Sequence, residues 1–522
     1  MHKKTRNQIL SLFVPIFLLI IIASFLTACS SSGGGDGNPG SDSTGIGPGG
    51  GTVKSSDEKA KVVIPAGALA QETNITVSAV SNPPSGTIGG AYNFGPDGTT
   101  FSLPVTMSVT YDETSLPSGV KESDLKLGTV TNNQWEALSN STVDTTANVV
   151  SGTTTHLSIY GIVAASNSTI SLPRTGQTTS YATGDDGALQ LGVAWPSPRF
   201  TDNGNGTVTD NLTGLTWTKD GNAPGPPACS PVGKKTWQGA LDYAACLNTN
   251  SYLGYTDWRL PNINELRSLV NSGESNSVTW LNSLGFNNVQ LDYYWSSSYY
   301  AHYSSKAWFV GIIHGTMIAD YKSSKYYVWP VRSSQSGTFG SSIIQLPKTG
   351  QTKCFDSLGY LTACTGTGQD GDIKAGAAWP TFRFTDYSSN TKKDNLTGLV
   401  WTKDANTPGP PACYPGTYKN WQGALEYVVC LNTNSYLGYT DWRLPNINEL
   451  RSLVNAEEPD NSQWLNQVGF NNVELGNNYL SSTTWAYNVN YAWFVSMKMG
   501  DTYGGTGKSG DSCMVWPVRS GQ

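Results

Sequence analysis

The sequence predicts a multidomain chain in which one all-β module precedes two α+β domains. Residues 247–271 read LNTNSYLGYTDWRLPNINELRSLVN, and residues 431–455 repeat them letter for letter, so the second half is a tandem duplication. Residues 52–165 hold short alternating apolar runs between turns, a pattern typical of strands. A length of 522 residues leaves room for about three domains, and 57 Gly, 26 Tyr and 17 Trp favour strands and turns that carry many rings.

The N-terminal residues predict an export signal followed by a lipid anchor. A basic start is followed by an apolar run over residues 9–26, and the run ends in LTAC. This ending resembles the lipobox of bacterial lipoproteins, which implies removal of residues 1–28 and acylation of Cys29. Residues 29–51, largely Gly and Ser, predict a flexible tether, and Ser30 favours the outer membrane or cell surface. An uncleaved membrane helix is the alternative.

The charge balance argues against nucleic acid as a partner. Removing Lys3, Lys4 and Arg6 with the signal changes the formal net charge from −6 to −9, and phosphate backbones are bound by basic surfaces. After residue 28 there is no second long apolar run, so the signal is the one segment of membrane-spanning character. The partner that this end of the chain predicts is the membrane, through the lipid.

Residues 52–165 resemble the ZU-type β-sandwich module of ankyrins and netrin receptors. The stretches IPAGAL at 64–69, FGPDG at 94–98 and LPVTMSV at 103–109 carry the resemblance, which implies an all-β sandwich. His156, Leu157 and Ser158 resemble the self-cleavage site of some such modules, in which the histidine helps the serine hydroxyl attack the preceding carbonyl. The alternative is that Leu157 simply points into the core of a strand pair.

The two copies, residues 171–334 and 345–522, each predict two helices followed by strands. Thr236 is placed to cap a helix whose Trp237, Ala240, Leu241 and Ala244 share one face. Asn262 and Glu265 have the spacing of a capping box that opens a second helix. Between these helices, Asp257 and Arg259 predict a structural ion pair, and so do Asp441 and Arg443 in copy two.

Both copies resemble the Lcl C-terminal-domain family. The matching pieces are TGQT, FTDNGNGTVTDNLTGLTWTKD at 200–220, the Trp237 helix, DWRLPNINEL and the closing VWPVR. The step from WRLP into the helix also resembles formylglycine-generating enzymes, which implies an α+β fold like that of C-type lectins. The family implies a binding role at the cell surface, as an adhesin or a module for an extracellular glycan or protein. An enzyme derived from the formylglycine-generating fold and a structural envelope protein are the alternatives.

The composition of the copies argues against catalysis and metal binding. His302 and His314 become Tyr487 and Met499 in copy two, so a hydrolase triad repeated in both copies is excluded. The acidic run at 202–210 is altered in copy two to contain two lysines, so we expect a hairpin there and no calcium site. The sequence thus predicts no enzyme, no cofactor and no metal.

Six of the eight cysteines form three predicted disulfides. Cys229 with Cys246 and Cys413 with Cys430 have one spacing in both copies, and Cys354 with Cys364 lie in an insert that only copy two contains. An exported chain favours disulfides over metal ligation. Cys29 is assigned to lipid, and Cys513 is assigned to no disulfide.

The segment between the WRLP helix and VWPVR predicts the ligand contacts, because the copies differ there. Trp308, Trp329, Trp493 and Trp516 occupy equivalent places and are assigned to the core. The rings that vary are the predicted contacts, since aromatic faces stack on the apolar faces of sugars: Tyr299, Tyr300, His302, Tyr303, Trp485 and Tyr487. The alternative is that these rings pack between loop and body. A sulfated polysaccharide is less favoured unless Lys306, Lys322 and Lys325 gather on one face.

Overall fold

The structure is a computed structural model that describes residues 43–521, apart from 82, 84–86, 117–119, 132–133, 139, 165–168, 334–343, 389, 475, 477 and 511–512. The predicted signal, Cys29 and most of the tether lie outside the described residues. Among the residues that are described, no helix is both long enough and apolar enough to cross a membrane. The described chain is multidomain and mostly β, and its named strand pairs are antiparallel.

The first module consists of two antiparallel sheets that enclose one hydrophobic core. The six-stranded sheet has the order β1 (Ser43–Ile46), β4 (Thr73–Ala79), β5 (Thr87–Gly95), β11 (Ile159–Ala164), β7 (Leu125–Thr131) and β8 (Gln134–Ala137). The five-stranded sheet has the order β2 (Gly51–Lys54), β3 (Ala60–Ile64), β6 (Thr100–Thr110), β10 (Val149–His156) and β9 (Thr142–Asp144). Alternate residues of β3 are buried, and they meet β4 residues such as Ile75 and Val77 in the shared core.

The described residues of copy one form four α-helices and seven strands. In chain order they are α1 (Asp186–Leu189), β12 (Phe200–Asp202), β13 (Thr207–Asp210), β14 (Leu215–Thr218), α2 (Trp237–Thr249), α3 (Ile263–Ser268), α4 (Ser277–Ser283), β15 (Tyr293–Tyr299), β16 (Lys306–Gly311), β17 (Thr316–Tyr321) and β18 (Val331–Ser333). β12 and β13 form the hairpin that was predicted for residues 202–210.

Copy two repeats this arrangement after a small inserted hairpin. Its elements are β19 (Cys354–Phe355), β20 (Leu361–Thr362), α5 (Asp370–Ile373), β21 (Phe384–Ser388), β22 (Thr391–Asp394), β23 (Leu399–Thr402), α6 (Trp421–Thr433), α7 (Ile447–Ser452), α8 (Asn461–Gln467), β24 (Asn478–Thr484), β25 (Tyr491–Ser496), β26 (Thr502–Gly507) and β27 (Val518–Ser520). The insert contains β19 and β20, which pair with each other.

The predicted helix caps are present. Thr236 Oγ1 accepts a hydrogen bond from the backbone N–H of Gly239 at 3.2 Å, and the predicted apolar face of α2 is buried. Asn262 and Glu265 form the capping box of α3. The ion pair predicted between Asp257 and Arg259 is wrong, because Arg259 binds both carboxylate oxygens of Glu265 at 2.6 Å.

Glu265 outcompetes Asp257 because it caps α3 at the same time. Asp257 instead accepts a hydrogen bond from Nε of Arg332 at 2.7 Å. Copy two has the same exchange of partners, with Arg443 bound to Glu449 and Arg519 bound to Asp441. These contacts join the WRLP segment to the last strand of each copy, which is a structural role.

The three predicted disulfides are present. Cys229–Cys246, Cys354–Cys364 and Cys413–Cys430 have Cα–Cα distances of 5.6, 5.1 and 5.8 Å. Those distances lie within the range that an unstrained backbone allows. Cys513 belongs to none of these bonds and is buried in the core of copy two, where its Sγ lies 3.5 Å from Oγ1 of Thr506.

One sheet runs through both copies. Its order is β15, β16, β17, β26, β25 and β24, and Met317 of β17 pairs with Thr502 of β26 at the junction. The two edge strands, β17 and β26, therefore cover each other. The two copies are therefore joined by strand pairing and do not form two independent units in series.

The copies also exchange their N-terminal segments. We name residues 171–193 arm one and residues 345–377 arm two. Gln177 of arm one exchanges two hydrogen bonds of 3.0 Å with the backbone of Thr484 in copy two. Gln351 of arm two does the same with Tyr299 of copy one, at 2.6 and 3.1 Å. Each arm therefore packs against the body of the other copy.

A buried aspartate anchors each arm in the other copy. Asp186 in arm one accepts hydrogen bonds from Thr483 and from Thr175 of its own arm, at 2.7 and 2.6 Å. Asp370 in arm two accepts equivalent bonds from Ser298 and Thr349, at 2.5 and 2.7 Å. Burial raises the pKa of both carboxyl groups to about 6.

Candidate binding site

Two of the predicted ligand contacts lie in the protein interior. Tyr299 is 2% exposed, its hydroxyl donates to Glu457 at 2.8 Å, and its ring lies 4.5 Å from that of Phe355 in arm two. Tyr300 is 5% exposed and packs edge-on against Trp308. These two rings have no surface to offer an external ligand, because arm two and the core cover them. The predicted role of Tyr299 and Tyr300 as contacts is therefore wrong.

The rest of the copy-one loop is accessible. Tyr303 is 56% exposed, and the ring of His302 lies 4.4 Å from it while His302 Nδ1 lies 2.9 Å from the carbonyl oxygen of Pro459. The ammonium group of Lys306 lies 5.6 Å from the ring of Tyr303 and 4.7 Å from that of Tyr321, which is also exposed. One cation thus holds two exposed rings on the same face.

The inserted hairpin extends this face. Ser304 Oγ donates to the carbonyl oxygen of Gly359 at 2.8 Å, and the backbone of Gly359 lies so close to Ser304 and Ser305 that a Cβ would clash. The neighbours of Gly359 are Leu358 and Tyr360, and Tyr360 is 69% exposed. We name the exposed side chains from the loop, the end of β17 and the hairpin together the aromatic surface; its members are Tyr303, Tyr321, Leu358, Tyr360 and Leu361.

The sequence had not predicted the part of the aromatic surface that the hairpin contributes. An available signal was the segment FDSLGYLTA between Cys354 and Cys364, because apolar residues in a short stapled turn have no core to enter. Copy one has no equivalent insert, so the differences between the two copies gave no indication of this segment.

The basic side chains do not gather on one face. Lys322 is buried, and its ammonium group donates to the backbone carbonyls of Phe355 and Asp356 at 3.0 and 2.9 Å. Desolvation lowers the pKa of Lys322 to about 7. Lys322 therefore fixes the inserted hairpin to copy one and is not available for a polyanion.

The loop of copy two is less accessible than that of copy one. Trp485 is partly buried against Trp493, and its ring lies over Gly504, where a Cβ would meet it. Tyr487 is exposed, and its ring lies 4.0 Å from that of His314 in copy one. Trp485 and Tyr487 thus contribute a smaller surface beside the junction of the copies.

The tripeptide His156-Leu157-Ser158 is the point at which the chain passes from one sheet of the first module to the other. Leu157 is fully buried, its N–H donates to the carbonyl of Thr99 at 2.9 Å, and its own carbonyl accepts from Gly98 at 3.1 Å. The imidazole nitrogens of His156 lie 3.2 Å from Thr154 Oγ1 and from Tyr160 Oη. Among the described contacts, none joins the imidazole to the Ser158 hydroxyl, and self-cleavage stays a prediction.

The comparison with protein families gives one match in each copy. Residues 206–332 and residues 390–519 both match the Lcl C-terminal domain. The chain carries two Lcl C-terminal domains in tandem. Both matched ranges begin after the arms, so each Lcl C-terminal domain here is a body that receives an arm from outside its matched range. No curated protein matches the chain.

Proposed function

We propose that this protein binds an extracellular ligand through the aromatic surface, as an adhesin or a related surface receptor. The observation that carries the proposal is the placement of Tyr303, Tyr321 and Tyr360 at the surface by rigid supports. The Lys322 contacts, the Ser304 bond and the Cys354–Cys364 disulfide hold the hairpin against the loop. A preorganised surface loses little entropy on binding.

A neutral glycan is the ligand that these side chains suit best. Tyrosine rings stack on the apolar faces of sugars, and their hydroxyls offer hydrogen bonds at the edge. Lys306 is engaged with two rings, and Lys322 is buried, so the surface offers little attraction to a sulfated chain. A protein ligand is the alternative outcome of the test, because exposed tyrosine and leucine are also common in protein interfaces.

The finer assignments from sequence complete the proposal. The first module is proposed to be a ZU-type spacer, and the two bodies are proposed to be C-type-lectin-like in fold. The signal and Cys29 are proposed to anchor the chain by lipid to the outer membrane, with the tether lifting the domains from the surface.

A non-catalytic role is proposed for both copies. Cys513 is buried in a core, and His302 and His314 have no equivalents in the other copy. A copper-dependent oxidation assay on the purified chain, together with titration of reactive thiol, tests this part. Turnover abolished by Cys513→Ser would favour an enzyme derived from the formylglycine-generating fold.

A glycan array probed with the chain from residue 29 onward tests the binding proposal. We expect defined glycans to be bound by the native chain and lost with Tyr303→Ala and Tyr360→Ala. The matched control is Tyr414→Ala, which removes an exposed ring that follows Cys413 in copy two. Equal binding by all three variants would contradict the proposed site, and an array without any bound glycan would favour a protein ligand or a structural role.

A further inference from the structure

A cleft lies between the two copies and is lined by equivalent residues from both. Arg267 of α3 and Arg451 of α7 are equivalent, as are Arg174 of arm one and Lys348 of arm two, and Trp195 and Trp379 form equivalent walls. The cleft is partly open to solvent. Both arms contribute to its lining, arm one through residues 172–174 and arm two through residues 346–348.

The charged residues that line the cleft are all basic. Among the described residues that line the cleft, none is acidic. Two of these arginines are paired with aspartates outside the lining. Arg199 binds both carboxylate oxygens of Asp210 at 2.7 and 2.9 Å, and Arg383 binds Asp394 in the same way. The remaining four cations are not matched by a carboxylate of the lining.

Arg267 is one of these four cations and is buried. It is 7% exposed, and its guanidinium donates to the carbonyl of Val270 at 3.4 Å and to Ser272 Oγ at 3.1 Å. In the part of the chain that the structure describes, no acceptor lies within hydrogen-bond distance of its Nε, no carboxylate contributes to its pKa, and the ring of Trp493 lies 5.5 Å from its guanidinium carbon. A buried guanidinium without a counter-charge is costly to the fold.

Arg451 adds a second positive charge close to the first. Its guanidinium donates to the carbonyl of Gly500 at 3.0 Å. Burial and the nearby Arg267 lower its pKa to about 9, although the carboxylate of Asp501 acts in the opposite direction, and burial alone lowers the pKa of Arg267 to about 10. Like charges that are held together in a cleft attract a counter-ion from solution.

The geometry points to an oxyanion site in this cleft, which binds the carboxylate, sulfate or phosphate group of a small molecule between Arg267, Arg451 and Lys348. The planar fork of a guanidinium suits bidentate binding of such groups. Leucine, valine and the two tryptophans form the other walls of the cleft, so the rest of the ligand is apolar. This site is separate from the aromatic surface and does not rest on its proposed function.

Isothermal titration of the purified chain with sodium sulfate, sodium phosphate and sodium benzoate tests the inference. Sodium chloride at matched ionic strength is the blank. We expect saturable binding of benzoate to one site per chain, tighter than that of the inorganic anions because of the apolar walls. Binding of the inorganic anions with an affinity equal to or higher than that of benzoate would overturn the assignment of an apolar ligand body.

Three variants locate the binding. Arg267→Gln and Lys348→Gln are expected to weaken binding about tenfold or more, because each removes a charge-assisted hydrogen bond. Lys325→Gln removes one exposed charge outside the cleft and is expected to leave the affinity unchanged. Lys348 is only partly buried, so its variant keeps the fold, which the melting temperature checks. An equal loss in all three variants, or no saturable binding to the native chain, would overturn the site.

Discussion

Asp186 in arm one accepts a hydrogen bond of 2.7 Å from the hydroxyl of Thr483, which lies 297 residues later in the body of copy two. The bond lies within a buried contact that also includes the pairing of Gln177 with Thr484. Asp370 and Ser298 repeat the relationship in the opposite direction. The two Lcl C-terminal domains are thus one structural unit, and each depends on a segment that belongs to the other.

Removing either anchoring carboxylate should destabilise that unit. Asp186→Ala leaves the hydroxyls of Thr175 and Thr483 buried without their acceptor, which costs about 1 to 3 kcal/mol. Asp370→Ala should cost a similar amount. Urea unfolding at pH 4, below the pKa of both carboxyl groups in the folded chain, measures both effects. Asp242→Ala, an exposed site on α2, is the control that should leave the midpoint unchanged. A midpoint for Asp186→Ala equal to that of the native chain would contradict the anchoring role.

The same carboxyl groups should make stability depend on pH. Their pKa is about 6 in the folded chain and near 3.8 in the unfolded chain, so the folded state binds more protons between these values. The free energy of unfolding should therefore fall as pH rises from about 4 to about 6, by roughly 2 to 3 kcal/mol for each group.

The double variant Asp186→Asn with Asp370→Asn isolates this effect. Asn keeps an oxygen for the hydroxyl donors and cannot ionise. Urea unfolding at pH 4, 5, 6 and 7 should show a smaller decrease with pH in the variant than in the native chain. Asp501, whose pKa is raised to about 7 by burial, is present in both proteins and cancels in the difference. Parallel pH profiles would show that neither aspartate titrates in this range.

The Cys229–Cys246 disulfide should stabilise the chain by constraining the unfolded state. Replacing both cysteines with Ser should lower the free energy of unfolding by about 3 kcal/mol, as expected for a loop of 17 residues. Cys413–Cys430 closes a loop of the same length, so its removal is the matched comparison and should cost the same. Denaturant midpoints under non-reducing conditions provide the measurement. A midpoint unaffected by either replacement would mean that these bonds contribute nothing to stability.

A single copy should form a dimer by exchanging arms with a second molecule. Residues 345–522 contain arm two and the body that receives arm one, and the receiving groups are similar in both copies, with Thr483 equivalent to Ser298. Light scattering after gel filtration should give twice the monomer mass. Asp370→Ala in the same fragment should shift the mass toward the monomer. A folded monomer of residues 345–522 would contradict the requirement for a donated arm.

The sequence predicted the local features of the copies because these depend on neighbouring residues. The caps at Thr236 and Asn262 and the three disulfides followed from spacing and from repetition. The four tryptophans assigned to the core, Trp308, Trp329, Trp493 and Trp516, are buried. Identical spacing in two copies is a strong constraint, because a structural pair keeps its separation in both.

The exchange of arms could not be predicted from a duplicated sequence. Arm one would make the same types of contact in either body, because the receiving groups are equivalent. The amides are those of Asn262 and Asn446, and the hydroxyls are those of Ser298 and Thr483. The shared sheet at Met317 and Thr502 is a contact between the copies that a comparison of the two repeats does not indicate. The burial of Tyr299 was missed for the same reason, because the residues that cover it, Phe355 and Glu457, belong to copy two.

Hydrogen exchange of the Asp186→Ala variant tests most directly whether each domain is completed by the arm of the other. The strand Asn478–Thr484 in copy two contacts arm one, whereas the equivalent strand Tyr293–Tyr299 in copy one contacts arm two. We expect faster amide exchange in Asn478–Thr484 and unchanged exchange in Tyr293–Tyr299, with the reverse pattern for Asp370→Ala. Faster exchange confined to Tyr293–Tyr299 in Asp186→Ala would show that arm one belongs to its own copy and would contradict the exchange.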